Sequence, residues 1–174
     1  GTWWNFSPSN NCGLVMTTPA PTYLQIRERL LHLKPSELGL SPTTAYPELW
    51  GVMAELGYEV GSATLTALAD GTTSLYYSTG GGLLGRGDYP PVATASKALV
   101  AEAQKHLSHM VSTQEFPLPL AGQVRFFLLT YSGIYAADAL ESSLASGEHL
   151  LSPVYARLQD ALDQMRLQAE RMRS

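Results

Sequence analysis

Apolar positions change period several times along this chain, and each change marks an element. From Pro21 to Lys34, Tyr23, Ile26, Leu30 and Leu33 recur at intervals of three and four, which predicts one face of a helix ended by Pro35. After the connection KPSELGLSPTT a second short helix is expected, with Pro47 in its first turn, Leu49, Val52, Met53 and Leu56 inward, and Gly57 as its stop. Gly61 to Thr79 reads as a β-hairpin, two runs rich in Thr, Leu and Tyr joined at Asp70-Gly71, the residues of a tight type I′ turn. A two-residue loop there sets Leu65 against Tyr76, Ala67 against Ser74 and Ala63 against Ser78 on one side. Thr66 then faces Leu75 and Thr64 faces Tyr77 on the other. The small residues of the first side let a helix approach closely, and a helix follows from Pro91 to Met110 with Val92, Ala95, Leu99, Ala103, Leu107 and Met110 in one stripe.

Beyond EFPLPLAG, the run QVRFFLLTYSGIYAADAL alternates as a second hairpin turning at Ser132-Gly133. Val124, Phe126, Leu128 and Thr130 oppose Ala139, Ala137 and Tyr135, while Arg125, Phe127, Leu129 and Tyr131 share the opposite face. Both faces of that strand are largely apolar, so something must cover the second one. LESSLASGEHLLSP reads as loop. Ser152-Pro153 then opens a long helix, an N-cap followed by proline, with the stripe Val154, Leu158, Ala161, Leu162, Met165, Ala169 and Met172. The order is α-α-β-β-α-β-β-α. It implies an α+β domain on one antiparallel sheet of two hairpins, with helices mainly on one side. Residues 21–174 make this single domain, and 1–20 an N-terminal extension, partly irregular.

Composition agrees with that reading. At 174 residues, 45% hydrophobic and 15% charged, the chain can bury a core without disulfide or metal. No apolar run of about 18 residues suggests a membrane span. The net charge of −4 opposes a phosphate backbone, and the one basic cluster, Arg166, Arg171 and Arg173, is interleaved with Asp163 and Glu170 as on a solvated helix face. Neither nucleic acid nor membrane is therefore expected as a partner. The single cysteine, Cys12, excludes an internal disulfide and a Cys-rich zinc site and fits a cytoplasmic protein; as a nucleophile it would need a base. Thr2 to Val15 lacks the regions of an export signal, and Met16 opens MTTPAPTYLQIRERLL, an alternative natural start. Trp3, Trp4 and Phe6 otherwise form an aromatic hook for the domain or a neighbouring copy.

The segment STGGGLLGRGDYPP, residues 78–91, holds G-x-G-x-x-G at Gly80, Gly82 and Gly85. Glycines let a backbone approach phosphate, and a helix N-terminus beyond favours the anion. The candidate ligand or partner loop is thus Gly80, Gly81, Gly82, Gly85 and Arg86, with Tyr76 and Tyr77 beside it. In the nucleotide fingerprint, however, the loop opens the helix directly after a parallel strand. Here the strand ends a hairpin, Asp88, Tyr89 and two prolines intervene, and no G-K-[ST] follows. The other readings are a connection that needs positive φ, or a partner contact; Arg86-Gly87-Asp88 is an adhesion tripeptide that arises readily by chance. His106 and His109 lack a third metal ligand and suit the negative end of a helix. Asp138, in an apolar strand, is either a perturbed acid or, as preferred, the partner of Arg125. Tyr76 and Tyr77 are expected to pack the sheet. No G-x-S-x-G elbow appears, and no catalytic residue, metal or cofactor is expected.

The element order, with VGSATLTALADGTTSLYYSTGGG and QVRFFLLTYSGIYAADA, resembles the roadblock (dynein light chain) and wider profilin-like or longin-like group over about residues 43–172. The similarity is one of topology, without a specific motif, and the group's usual third strand after the crossover helix is not apparent. The ADGTTSLYYSTGGG stretch also resembles an uncharacterised bacterial family. The resemblance implies a non-catalytic interaction module, homodimeric through helix or sheet-edge pairing, that regulates or scaffolds a partner such as a small GTPase. The alternative is a small-ligand domain that takes phosphate or nucleotide on the Gly80–Gly87 loop.

Overall fold

A computed structural model describes residues 18–85 and 89–173; the expectations placed on Trp3, Trp4, Phe6, Cys12, Met16 and residues 86–88 lie outside them. The elements in order are α1 (Pro21–His32), a 3-10 turn at Pro35–Leu38, β1 (Leu49–Tyr58), β2 (Gly61–Leu68), β3 (Thr73–Tyr77) and β4 (Gly82–Gly85). There follow α2 (Pro90–Gln104), a 3-10 turn at Leu107–His109, β5 (Val111–Ser112), β6 (Gln123–Thr130), β7 (Gly133–Leu140), α3 (Glu141–Ala145) and α4 (Ser152–Arg173). The strands form one antiparallel sheet in the order β4-β3-β2-β1-β6-β7-β5. The α+β class expected from the sequence is present.

The expected second helix is instead β1, the centre of the sheet. Leu49, Val52, Met53 and Leu56 do fit a helical period, but Trp50, Gly51, Ala54 and Glu55 between them are buried too, as in a strand covered on both faces. Gly57 stops no helix. A Cβ there would lie 2.0 Å from the Leu120 carbonyl oxygen, and its own carbonyl accepts the Gly122 N–H at 2.8 Å, so glycine admits the 117–122 loop.

The first hairpin forms with its register one residue away from that expected. Asp70-Gly71 is not a type I′ turn, because only Gly71 has positive φ, at 93°. The loop runs from Ala69 to Thr72, and the Asp70 carboxylate accepts the Thr72 N–H at 2.9 Å. Leu65 therefore faces Leu75, Ala67 faces Thr73 and Ala63 faces Tyr77. The shift brings Leu75 and Tyr77 onto the side of Leu65, and sends Ser74 and Tyr76 to the side of Thr64 and Thr66. The second hairpin keeps the expected pairs, Val124 with Ala139, Phe126 with Ala137 and Leu128 with Tyr135; its turn is Tyr131-Ser132, and Gly133 begins β7. Two short strands, β4 and β5, extend the expected hairpins, and the stretch read as loop contains α3.

The inner face of the sheet carries Val52, Ala54, Leu56, Ala63, Leu65, Ala67, Leu75, Val124, Phe126 and Leu128, packed under α2 and α4. Close approach of α2 depends on small residues. A Cβ on Gly71 would lie 2.8 Å from that of Ala93, and the Thr73 and Ser96 hydroxyls hydrogen-bond across the contact. The outer face of β6 is covered, as its apolar pattern requires: Phe127 packs with Met53 and Leu31 and meets Phe116 edge-on, with ring centroids 5.6 Å apart. A bulge between Leu49 and Gly51 turns Trp50 onto this outer side, against Leu68 and Leu129, where its indole N–H donates to the Thr130 carbonyl at 3.1 Å.

Candidate functional site

The glycine-rich segment folds as a hairpin. Gly80 and Gly81, at φ 112° and 82°, turn β3 into β4; the Gly80 N–H donates to the Tyr77 carbonyl at 3.0 Å, and the Tyr77 N–H to the Gly81 carbonyl at 3.2 Å. Gly82 and Gly85 pair with Tyr76 and Thr73 inside the sheet. Nor does the start of α2 offer an anion cradle. Pro90 and Pro91 have no N–H, while those of Val92 and Ala93 both donate to the Tyr89 carbonyl, at 3.1 and 3.2 Å. Tyr76 and Tyr77 point to opposite faces: Tyr77 packs on the inner core, and the Tyr76 ring lies over Gly82 on the outer side. A groove of about 810 Å³ adjoins β4, lined by Gly82, Leu83, Leu84, Tyr89, Gln168, Arg171 and Met172, with the Arg171 guanidinium 5.2 Å from the Tyr89 ring centroid.

The charged groups that the fold buries lie elsewhere, on the outer face. Glu55, at 0% exposure in mid-β1, takes two hydrogen bonds from Arg27 of α1, Nε to Oε2 and Nη2 to Oε1, each 2.8 Å, and a third from the Thr64 hydroxyl at 2.7 Å. With its proton given to Glu55, Thr64 accepts from the Tyr23 hydroxyl at 2.6 Å, and Tyr23 in turn accepts from Ser62 at 3.0 Å. Arg27 Nη2 also donates to the Phe116 carbonyl at 2.6 Å. Burial pulls the Arg27 guanidinium down, but the hydrogen bonds and charge of Glu55 outweigh it and raise it above its ordinary value. Burial, then the Glu55 charge, pushes the Tyr23 phenol up. The next rung holds a second pair whose carboxylate is exposed. Arg125, opposite Glu55, pairs with Asp138 of β7, Nε to Oδ1 2.6 Å, and donates to the Pro117 carbonyl, so Asp138 is the partner of Arg125 as preferred. Local period does not single out Glu55 or Arg27, because β1 also fits a helix; the available signal is one acid inside an otherwise apolar run.

β7 ends in an open edge. In an antiparallel ladder alternate residues direct both backbone groups away from the neighbour, and the Ile134 carbonyl, which accepts the Thr113 N–H at 2.9 Å, fixes the phase. Ile134, Ala136, Asp138 and Leu140 thus present their backbone outward. β5 pairs with Tyr135 and Ala136 only, leaving the backbone of Asp138 and the N–H of Leu140 without a partner on that side among the described residues, while the Leu140 carbonyl caps α3. The strand carries no proline or lysine to blunt this edge. Leu140 is 59% exposed, and Val111, on β5, 71%.

His106 and His109 stand 6.3 Å apart, with His106 Nε2 3.4 Å from Glu102; among the described residues no group of three ligating side chains could hold a metal ion. No described helix is long and apolar enough to cross a membrane. No protein-family model matches the chain, and no curated protein or solved structure is significantly similar to it.

Proposed function

We propose that the chain is a non-catalytic interaction domain that pairs with a second copy of itself through β7. The observation that carries this reading is the open edge at Asp138 and Leu140. A two-fold axis beside Ala139 sets Asp138 of each copy opposite Leu140 of the other, where each Leu140 N–H donates to the other copy's Asp138 carbonyl. The two Ala139 residues then face each other with side chains small enough for close strands. The pairing of the buried guanidinium groups supports a binding rather than a chemical role, since Arg27 is consumed by Glu55 and Arg125 by the exposed Asp138. The phosphate alternative has less support, because the Gly80 N–H and those of Val92 and Ala93 are spent within the chain and Pro90 and Pro91 have none. A small GTPase as further partner rests on the resemblance to the roadblock group alone.

Leu140→Pro tests the pairing. Leu140 already has φ −73°, which suits proline, and its N–H faces away from β6, so the substitution removes an edge donor without breaking the ladder. Sedimentation at tens of micromolar should give about twice the chain mass of 18.8 kDa for the wild type and a monomer for the variant. A monomeric wild type overturns the reading; a dimer unaffected by Leu140→Pro moves the interface away from β7.

A further inference from the structure

We propose that α1 is a detachable cover over a polar stripe of the sheet, latched by the Arg27–Glu55 pair and released without disturbing the other elements. The two faces of β2 carry the first observation. Its inner residues are Ala63, Leu65 and Ala67 and its outer residues Ser62, Thr64 and Thr66, and all six are at most 4% exposed. A face that stays dry has no need of hydroxyls, whereas Ser62, Thr64 and Thr66, with Glu55 beside them, are residues that tolerate water when uncovered. The Thr66 hydroxyl on the same face is buried with no hydrogen-bond partner, so water reaching this stripe would satisfy it.

The helix itself is built for release. It buries Tyr23, Arg27 and Leu31, one side chain per turn; the first two attach by hydrogen bonds, and only its last turn, Leu31 with Leu30 beside it, meets the apolar pair Met53 and Phe127. By contrast, α4 buries Val154, Leu158, Ala161, Leu162 and Met165 in the inner core. With 12 residues, no side-chain cap and no acid in its first turn, α1 has little helical stability of its own. Residues 33–48, which contribute no strand, separate it from β1 and hold their own contacts, Leu33 and Leu40 on the Trp50 cluster and Glu48 on Gln104, so they do not depend on α1. The latch fixes where α1 sits more than it adds to global stability, since the cost of taking both charges out of water offsets much of their attraction.

Native-state hydrogen exchange on the full chain tests this independently of the β7 pairing. Amides of Gln25 to His32 should open at least about a hundredfold more often than those of β1 and β6, with an opening that low urea does not change. Arg27→Lys, which keeps the charge but loses the two-point contact, should raise α1 opening roughly tenfold and leave β6 unchanged. Exchange of α1 at the rates of β1 and β6 overturns the cover. An α1 that opens freely yet is indifferent to Arg27→Lys overturns the latch, as does a variant in which α1 and β6 accelerate together.

Discussion

Replacing Arg27 by Met leaves the Glu55 carboxylate fully buried, with the Thr64 hydroxyl as its remaining donor. Removing one member of a buried pair costs about 3–5 kcal/mol, mostly the desolvation of the charge left behind. In a domain of this size each kcal/mol lowers Tm by roughly 2–4 °C, so Arg27→Met should lower it by about 6–20 °C. The reciprocal Glu55→Met strands a guanidinium that still reaches the Phe116 and Pro117 carbonyls, and should cost somewhat less. The double variant removes both charges and should be more stable than Arg27→Met, giving a coupling of at least about 3 kcal/mol by urea unfolding followed by circular dichroism. A detachable α1 sets a ceiling on the single-variant loss. Lifting α1 carries Glu55 back to water, so Arg27→Met costs no more than the wild-type opening that hydrogen exchange measures. Arg27→Met within about 1 kcal/mol of wild type, or a double variant equal to the sum of the singles, would refute the buried pair as described.

Gly57→Ala should destabilise by about 1–3 kcal/mol in urea, since its Cβ meets the backbone of Leu120 rather than a movable side chain. Gly80→Ala, at φ 112° in open space, should cost only about 1 kcal/mol of backbone strain, and Gly82→Ala more, because its Cβ meets the Tyr76 ring and the Leu75 carbonyl; equal losses would contradict the hairpin geometry. Burial raises the phenols of Tyr23, Tyr58 and Tyr77 above their ordinary value. A raised folded pKa means stability that is full below the unfolded tyrosine pKa, about 10, and is lost as pH rises past it. Tyrosinate absorbance from these residues should therefore appear together with loss of circular dichroism, whereas titration in a folded chain near pH 10 would count against their burial.

Some local features were readable because local chemistry alone decides them. Proline fixes the starts of α1, α2 and α4, strict alternation defines β6 and β7, and the cross-strand pairing of Arg125 with Asp138 follows once a two-residue loop is assumed. The absence of two N–H donors at the start of α2 was also readable, since it follows from Pro90-Pro91. β1 was misread because a run buried on both faces satisfies helical and strand periods equally, and its Glu55 reads as a solvent position until the partner is known.

The register of the first hairpin was decided by the core. Asp70-Gly71 permits loops of two or four residues, and the four-residue loop is the one that places Leu75 beside Leu65 under α2. The same holds for the outer face. That β6 needs a second cover follows from its residues alone, which are apolar on both sides. Only tertiary packing decided that α1 and the 113–119 segment supply it, that Arg27 meets Glu55 across 28 positions, and that β7 ends as an open edge. Those contacts join residues far apart in the chain, and no local period encodes which distant segment will lie above a strand.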